Sequence, residues 1–283
     1  MTLYEKFIEL YSTGMVNAGL SNRLPDYGQK RWLNEFEKAI KLANPNKFID
    51  IGAGDGRLST LLLSYSSTIT GAAIEINYNK QFWDVIKNKF KNRIEIRDGL
   101  LQDYLTEYND IDFTILSEVF EHIPVKDVPN FLNDLNKIMK INGYVFLTTP
   151  NKVNQGEAED SPIWHEKHQW GHHKHYNIGE LELILKNHNF EIVNSTFECI
   201  DSKQTIFNRN FYPIIRFDSR ILFSKKIPRI LKLVYKILTF PLIIILDSFY
   251  KNLAELMHEK EESTFNEKNC ATIILTAKKV KDL

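Results

Sequence analysis

Phe48 to Ile51 is a short apolar run that passes directly into Gly52-Ala53-Gly54-Asp55-Gly56, and a helical period starts at once with Leu58, Leu61 and Leu62. A strand that turns through alternate glycines into a helix fits few architectures. Glycine reaches positive φ without a side-chain penalty and lets main-chain amides approach a ligand closely. In open α/β sheets such a turn sits at the carboxyl end of the first strand, where the ligand crevice forms. A tight corner uses glycine for the same reason, so the loop alone leaves both readings open. The dinucleotide fingerprint GxGxxG would place glycine at position 57, where this chain has Arg57. A nicotinamide cofactor is therefore disfavoured.

Around that loop the chain alternates short β-rich runs with helical periods, the pattern of repeated βα units. Strands are expected at Phe48 to Ile51, Ile69 to Ile74, Ile94 to Ile96, Phe113 to Leu116 and Tyr144 to Thr148, with late strands at Phe190 to Phe197 and Cys270 to Ala277. A helix is expected from Asp127 to Lys140: Asp127 at the N-cap, Pro129 in the first turn, a face of Phe131, Leu132, Leu135, Ile138 and Met139, and Asn142-Gly143 to close it. Residues 1–45 read as a helical cap ahead of the sheet, with Trp32, Leu33, Phe36, Ala39, Ile40 and Ala43 in helical period. The expected core is 46–200 plus 269–281, with 201–268 as an insertion between the two late strands, too long for a hairpin loop.

Composition narrows the function classes. With 283 residues, a core of ordinary size is available, and 36 Lys+Arg balance 36 Asp+Glu. A zero net charge offers no global field for a polyanion, which argues against a nucleic-acid partner. Cys199 and Cys270 are the two cysteines, far apart and outside any CxxC pair. Neither a disulfide framework nor a thiolate zinc site is indicated, and a reducing cytoplasm is expected. The N-terminus lacks the basic flank and apolar core of a secretory signal. Ile227 to Leu246 is apolar but interrupted by Arg229, Lys232, Lys236 and Pro241, so no membrane-spanning helix is expected.

Two carboxylates follow the next two strands: Glu75 about twenty residues beyond the glycine loop, placed for ribose hydroxyls, and Asp98 in Arg97-Asp98-Gly99-Leu100, placed for an adenine amino group. Each alone also reads as a solvated loop residue. Together with FIDIGAGDGRLSTLL at 48–62, RDGLL at 97–101, DFTILSEVFEHIP at 112–124 and NGYVFLTTPN at 142–151, they make the chain resemble the class I S-adenosylmethionine-dependent methyltransferases. The resemblance covers about 45–200 plus the last strand. It implies a Rossmann-like, seven-stranded α/β sheet with an antiparallel last strand. It also implies S-adenosyl-L-methionine held by Asp50, Gly52, Ala53, Gly54, Gly56, Glu75, Asp98, Gly99 and Ser117. Ala73 departs from the pattern, standing where many relatives carry the ribose acid, which here falls two residues later.

After the fourth strand, Glu118, Glu121 and His122 recur at helical spacing and share a face. Two carboxylates and an imidazole suit a divalent ion. The same residues also serve a turn in which His122 acts alone as a base. His165, His168, His172, His173 and His175 are five of the eight histidines and lie in the connection after the fifth strand. ExxEH followed by such a histidine ahead of a helix resembles the ubiquinone-pathway O-methyltransferases and the small-RNA 2′-O-methyltransferases. That resemblance implies Glu118, Glu121, His122 and His172 as ligands of Mg2+ or Mn2+. Glu118, His122 and His173 are the candidate catalytic groups acting on the acceptor hydroxyl.

The insertion interleaves Arg216, Arg220, Lys225, Lys226, Arg229, Lys232 and Lys236 with Phe217, Ile221, Leu222, Phe223 and other apolar residues. This basic amphipathic pattern fits a helical lid or a dimer face. It also fits peripheral contact with the inner face of a membrane, giving access to a lipid-linked substrate. Trp164, Trp170 and Tyr176 flank the histidines as stacking surfaces or as core, and Tyr4, Tyr11 and Trp32 are expected to close over the cofactor. The expected reaction is methyl transfer to a hydroxyl of a small molecule or saccharide. An RNA 2′-O-methyltransferase and a noncatalytic binding module on the same fold are the alternatives. The sequence carries no signal for an oligomeric state.

Overall fold

In a computed structural model of the chain, the residues described are 27–76, 80–156, 171–198, 266–268 and 270–282, with Leu3, Lys6, Pro228 and Leu231 as single positions. Residues 1–17, 31–199 and 266–283 form one compact unit, and 18–30 with 200–265 form a second. The second unit lies almost wholly outside the described residues. So do the basic amphipathic segment, Tyr4, Tyr11, His165, His168, Trp164 and Trp170.

The first unit runs α1 (Tyr27–Ala43), β1 (Lys47–Ile51), α2 (Arg57–Tyr65), β2 (Thr70–Glu75), α3 (Lys80–Phe90), β3 (Ile94–Asp98), β4 (Ile111–Ser117), α4 (Val128–Ile138), β5 (Met139–Pro150), α5 (Lys152–Gln155), α6 (Ile178–Asn187), β6 (Phe190–Glu198) and β7 (Thr272–Lys279). The strands make one seven-stranded sheet in the order β3-β2-β1-β4-β5-β7-β6. Neighbours from β3 to β5 pair parallel, and β7 pairs antiparallel with both β5 and β6. This is the Rossmann-like sheet with an antiparallel last strand that the sequence implies.

Strand periodicity explains how the sheet buries two faces. Phe48 and Phe113 point into one apolar layer with Phe36, Ile40, Leu61, Leu62 and Trp83 from α1, α2 and α3, while Ile49, Ile51 and Leu116 point into the other with Leu132, Leu135, Leu181 and Leu185 from α4 and α6. Parallel strands covered on both sides read as continuous apolar runs, as β1 does. Trp32 stacks on Phe36 and meets Phe146 edge-on, with ring centroids 6.1 and 6.0 Å apart. It is a packing residue of the α1 layer rather than a cover over the cofactor. Tyr176 is buried against Phe120, with ring centroids 5.1 Å apart, and belongs to the other layer.

Three local expectations are corrected. The helix expected to reach Lys140 ends at Ile138, because Met139 already pairs with Ile111 of β4. The ladder then bulges through Lys140 to Gly143, with Asn142 at φ 68°, before Tyr144 pairs with Phe113. Asp127 occupies the N-cap position of α4 but makes no side-chain capping bond. Cys270 is disulfide-bonded, and Cys199 is the only other cysteine in the sequence. Sequence distance misleads here: β6 and β7, far apart in the chain, pair antiparallel as far as Glu198 opposite Thr272. No helix among the described residues is long and apolar enough to cross a membrane.

Candidate active site

The sheet order reverses direction between β1 and β4, so their carboxyl ends open a crevice at the switch point. The glycine loop lines it. Gly52, Gly54 and Gly56 all have positive φ, at 67°, 55° and 73°. Their surroundings differ. A Cβ on Gly56 would lie 2.6 Å from Trp83 and one on Gly52 would lie 2.4 Å from a Val119 methyl, so these two glycines permit packing against α3 and the turn after β4. A Cβ on Gly54 would meet nothing within 4 Å. Gly54 is therefore the position whose missing side chain faces the open crevice. The Gly52 and Ala53 amides both donate to the Ile74 carbonyl, fixing the loop on β2.

Asp50, at the end of β1, is 2% exposed and accepts a 2.6 Å hydrogen bond from the Ser59 hydroxyl. Burial pushes its carboxyl pKa up to about 7, and the nearby Glu75 and Asp55 charges add to the rise. It braces α2 from beneath the loop. Glu75, at the end of β2, accepts from the Gly54 amide and from the Ile76 amide. Burial raises its carboxyl pKa, opposed by those two amides. Asp98 ends β3 with an exposed side chain, opposite Glu75 in the parallel register, and Gly99 follows at φ 143°. The Tyr104 hydroxyl donates to the Asp98 carbonyl at 2.6 Å. Ser117 ends β4, its hydroxyl 2.9 Å from that of Thr148 on β5. The expected cofactor residues thus come from the carboxyl ends of four adjacent strands. An open glycine cradle flanked by a half-exposed carboxylate on β2 and an exposed one on β3 fits an adenosyl compound: open space beside Gly54 and acceptors for its hydroxyl and amino hydrogens.

The turn carrying Glu118 to His122 leaves β4 beside that cradle. Glu118 has φ 56°, an uncommon conformation for a branched-out acidic residue, and its amide donates to the Thr148 carbonyl. Glu118 is exposed to solvent, yet the protein atoms around its carboxylate desolvate it enough to raise its pKa. Glu121 is 1% exposed and accepts a 2.9 Å bond from the Thr149 hydroxyl. Burial, then repulsion from Glu118, push its pKa up to about 8.

Glu121, His122 and His172 each offer a ligand atom, all within 4.8 Å of one another. His122 Nε2 is 3.9 Å from Glu121 Oε1, and the His122 and His172 rings stand edge to face with centroids 4.8 Å apart. The structure thus gathers three of the four expected metal ligands, with Glu118 close enough to repel Glu121. His173 reaches the cluster through its main chain, donating its amide to the Glu121 carbonyl at 2.7 Å. Burial lowers the His172 pKa to about 4, helped by the neighbouring His122 and His175, so this imidazole is neutral near pH 7. A buried carboxylate, a second one beside it and the neutral His172 form a donor set that a divalent cation suits. Sequence reading missed His175, which is 7% exposed and hydrogen-bonded to His172. Its place in the histidine cluster was the available signal.

Comparison with known proteins agrees with this geometry. Residues 25–195, more than half of the chain, match the family model described as a methyltransferase domain. The ubiquinone biosynthesis O-methyltransferase of Pelagibacter ubique (strain HTCC1062) is 29% identical over 108 residues, 38% of this chain and 43% of that protein. The match thus spans less than half the relative's length. Among solved structures, phosphoethanolamine N-methyltransferase 2 of Haemonchus contortus, in complex with S-adenosyl-L-methionine, superposes with a TM-score of 0.55 at 16% identity, covering 97% of this chain and 60% of that one. A SAM-dependent methyltransferase from Archaeoglobus fulgidus gives 0.51 at 17% identity, covering 88% and 92%. At these identities the superpositions establish the fold. The chain belongs to the methyltransferase-domain family and is a class I S-adenosylmethionine-dependent methyltransferase.

Proposed function

We propose that the protein methylates a hydroxyl oxygen of a small molecule or saccharide with the help of a divalent cation. The observation that carries this reading is the meeting of Glu121 and His122, on the turn that packs against the glycine loop, with His172 from the connection after β5, all within 4.8 Å. The name of the Pelagibacter ubique relative points the same way for an oxygen acceptor.

In this reading the Gly54 side of the loop, Glu75 and Asp98 hold and orient the cofactor, with Gly52, Ala53, Gly56, Gly99 and Ser117 shaping the crevice and Asp50 bracing it. S-adenosyl-L-methionine would supply an electrophilic methyl on a sulfonium, and Mg2+ or Mn2+, held by Glu118, Glu121, His122 and His172, would supply Lewis-acid polarisation of the hydroxyl. The acceptor oxygen forms the new C–O bond as the C–S bond breaks, and the electron pair stays on sulfur as S-adenosylhomocysteine. Glu118 takes the hydroxyl proton on the carboxylate oxygen that it keeps off the cation. His173, whose amide holds the Glu121 carbonyl, is a third candidate for contact with the acceptor. Holding oxygen, carbon and sulfur in line provides most of the acceleration, an effect that reaches roughly 7–11 kcal/mol in well-oriented systems.

The test is transfer of a tritiated methyl group from the cofactor to catechol, to a methyl glycoside and to a short RNA, each with added Mn2+ and with EDTA. Metal-dependent label on catechol or the glycoside supports the reading. Label on RNA alone, or a rate indifferent to EDTA and to His172→Ala, refutes it.

A further inference from the structure

We infer that His175 is a positioning residue that fixes His172 in the tautomer whose Nε2 carries no hydrogen, so that this atom faces the cation site shared with Glu121 and His122. The inference rests on the metal-assisted reading above. It follows from a chain of hydrogen bonds read from its two ends. His175 Nδ1 lies 3.0 Å from the Gly156 carbonyl, which can only accept, so His175 Nδ1 carries the proton. A His172 that holds the cation through Nε2 carries its ring hydrogen on Nδ1. That hydrogen faces His175 Nε2, 2.7 Å away, which accepts it and so keeps the His172 lone pair on Nε2. Metal-bound histidines use this device: the far ring nitrogen donates to a fixed acceptor, which sets ring orientation and raises ligand basicity.

The acceptor end of the relay is built rigidly. Gly156 closes α5, donating its amide to the Lys152 carbonyl at 2.8 Å, and α5 is capped by Asn151, whose side chain accepts from the Val153 amide. The Asn151 amide group in turn donates to the Glu267 and Cys270 carbonyls, at 2.6 and 2.7 Å. Tyr176, next to His175, bridges to Asn151, and its carbonyl accepts from the Lys152 amide at 2.9 Å. The end of β5 therefore holds both Gly156 and the backbone of His175. At the other ligand, His122 Nδ1 faces the Gly171 carbonyl at 3.3 Å, which leaves its Nε2 toward Glu121 by the same logic. The His175 side chain is separated from the cation by His172, so it acts through that residue.

The experiment measures Mn2+ affinity of the full chain by calorimetry and the nitrogen couplings of bound Mn2+ by electron spin-echo spectroscopy, for wild type, His172→Ala, His175→Leu and His175→Gln. S-adenosylhomocysteine affinity is measured alongside as the report on folding. His175→Leu keeps the volume and loses the acceptor. Its Mn2+ dissociation constant is expected to rise about 10- to 100-fold, with weakened coupling from one imidazole and unchanged S-adenosylhomocysteine affinity. The Gln side-chain oxygen accepts from His172 Nδ1, so His175→Gln is expected to stay within a few-fold of wild type. If His175→Leu binds Mn2+ as wild type does while His172→Ala does not, the relay is overturned and the metal site stands. If His175→Gln fails as fully as His175→Leu with cofactor affinity intact, the relay is likewise overturned. If wild type itself does not bind Mn2+, the metal reading falls and the relay with it.

Discussion

Gly52 and Gly54 are two residues apart with nearly the same φ, yet alanine at each should do different harm. At either position alanine enters the left-handed region, at a cost of roughly 1–2 kcal/mol. Reduced freedom of the unfolded chain offsets about 0.4–1 kcal/mol of that. At Gly54 nothing lies within 4 Å of the new methyl, so the stability loss stops near 1 kcal/mol. At Gly52 the methyl would sit 2.4 Å from Val119 Cγ2, more than an ångström inside normal carbon contact, and overpacking adds about 1–3 kcal/mol. Ligand binding should show the opposite order. The Gly54 methyl projects into the crevice, and overpacking of about 1–3 kcal/mol against a bound ligand weakens affinity roughly 5- to 150-fold. Thermal melts without ligand and calorimetric titration with S-adenosylhomocysteine separate the two effects, and Val119→Ala should restore much of the stability of Gly52→Ala. The reasoning is refuted if Gly54→Ala binds S-adenosylhomocysteine as tightly as the parent, or if it loses as much stability as Gly52→Ala.

Two further outcomes are expected. Asp50 is an acid whose folded pKa, about 7, lies above its unfolded value of 3.8, so the folded state holds the extra proton and this carboxyl favours folding at low pH. That contribution is lost as pH rises from about 4 to 7, by at most about 4 kcal/mol. Denaturant titrations should find Asp50→Asn gaining stability relative to wild type across this window, and a difference that stays constant with pH would contradict the assignment. Lys279 is 1% exposed and donates to the Asn136 and Met139 carbonyls at the end of α4, at 2.7 Å each. Lys279→Met should destabilise by about 2–4 kcal/mol, chiefly through those two unpaired carbonyls, since its ion pair with the exposed Asp282 is worth little. A midpoint unchanged in urea would count against this.

The glycine loop was legible because its signal is local: an apolar strand, left-handed turn residues and a helix in one short stretch. The acids at 75 and 98 were legible because each ends a strand whose neighbour sequence also marks. The end of α4 was not, since it is set by Met139 pairing with Ile111 across the sheet, a contact no helical pattern contains. Tyr176 reads equally well as pocket or core and Trp32 reads as a cover over the cofactor, and only their neighbours Phe120 and Phe146 show both packing in the apolar layers. His172 was legible only through the family resemblance, which implies a ligand ahead of the α6 helix that Asn177 and Glu180 cap reciprocally. His175 could not be given a role that way, because its partner is the carbonyl of Gly156, nineteen residues earlier in the chain.

Calorimetric titration of the purified full-length chain with S-adenosylhomocysteine tests the central claim most directly. Saturable one-to-one binding that Gly54→Ala weakens is the predicted result. Absence of binding heat at ligand concentrations well above the protein concentration, from a chain that melts cooperatively, would contradict the account at its root.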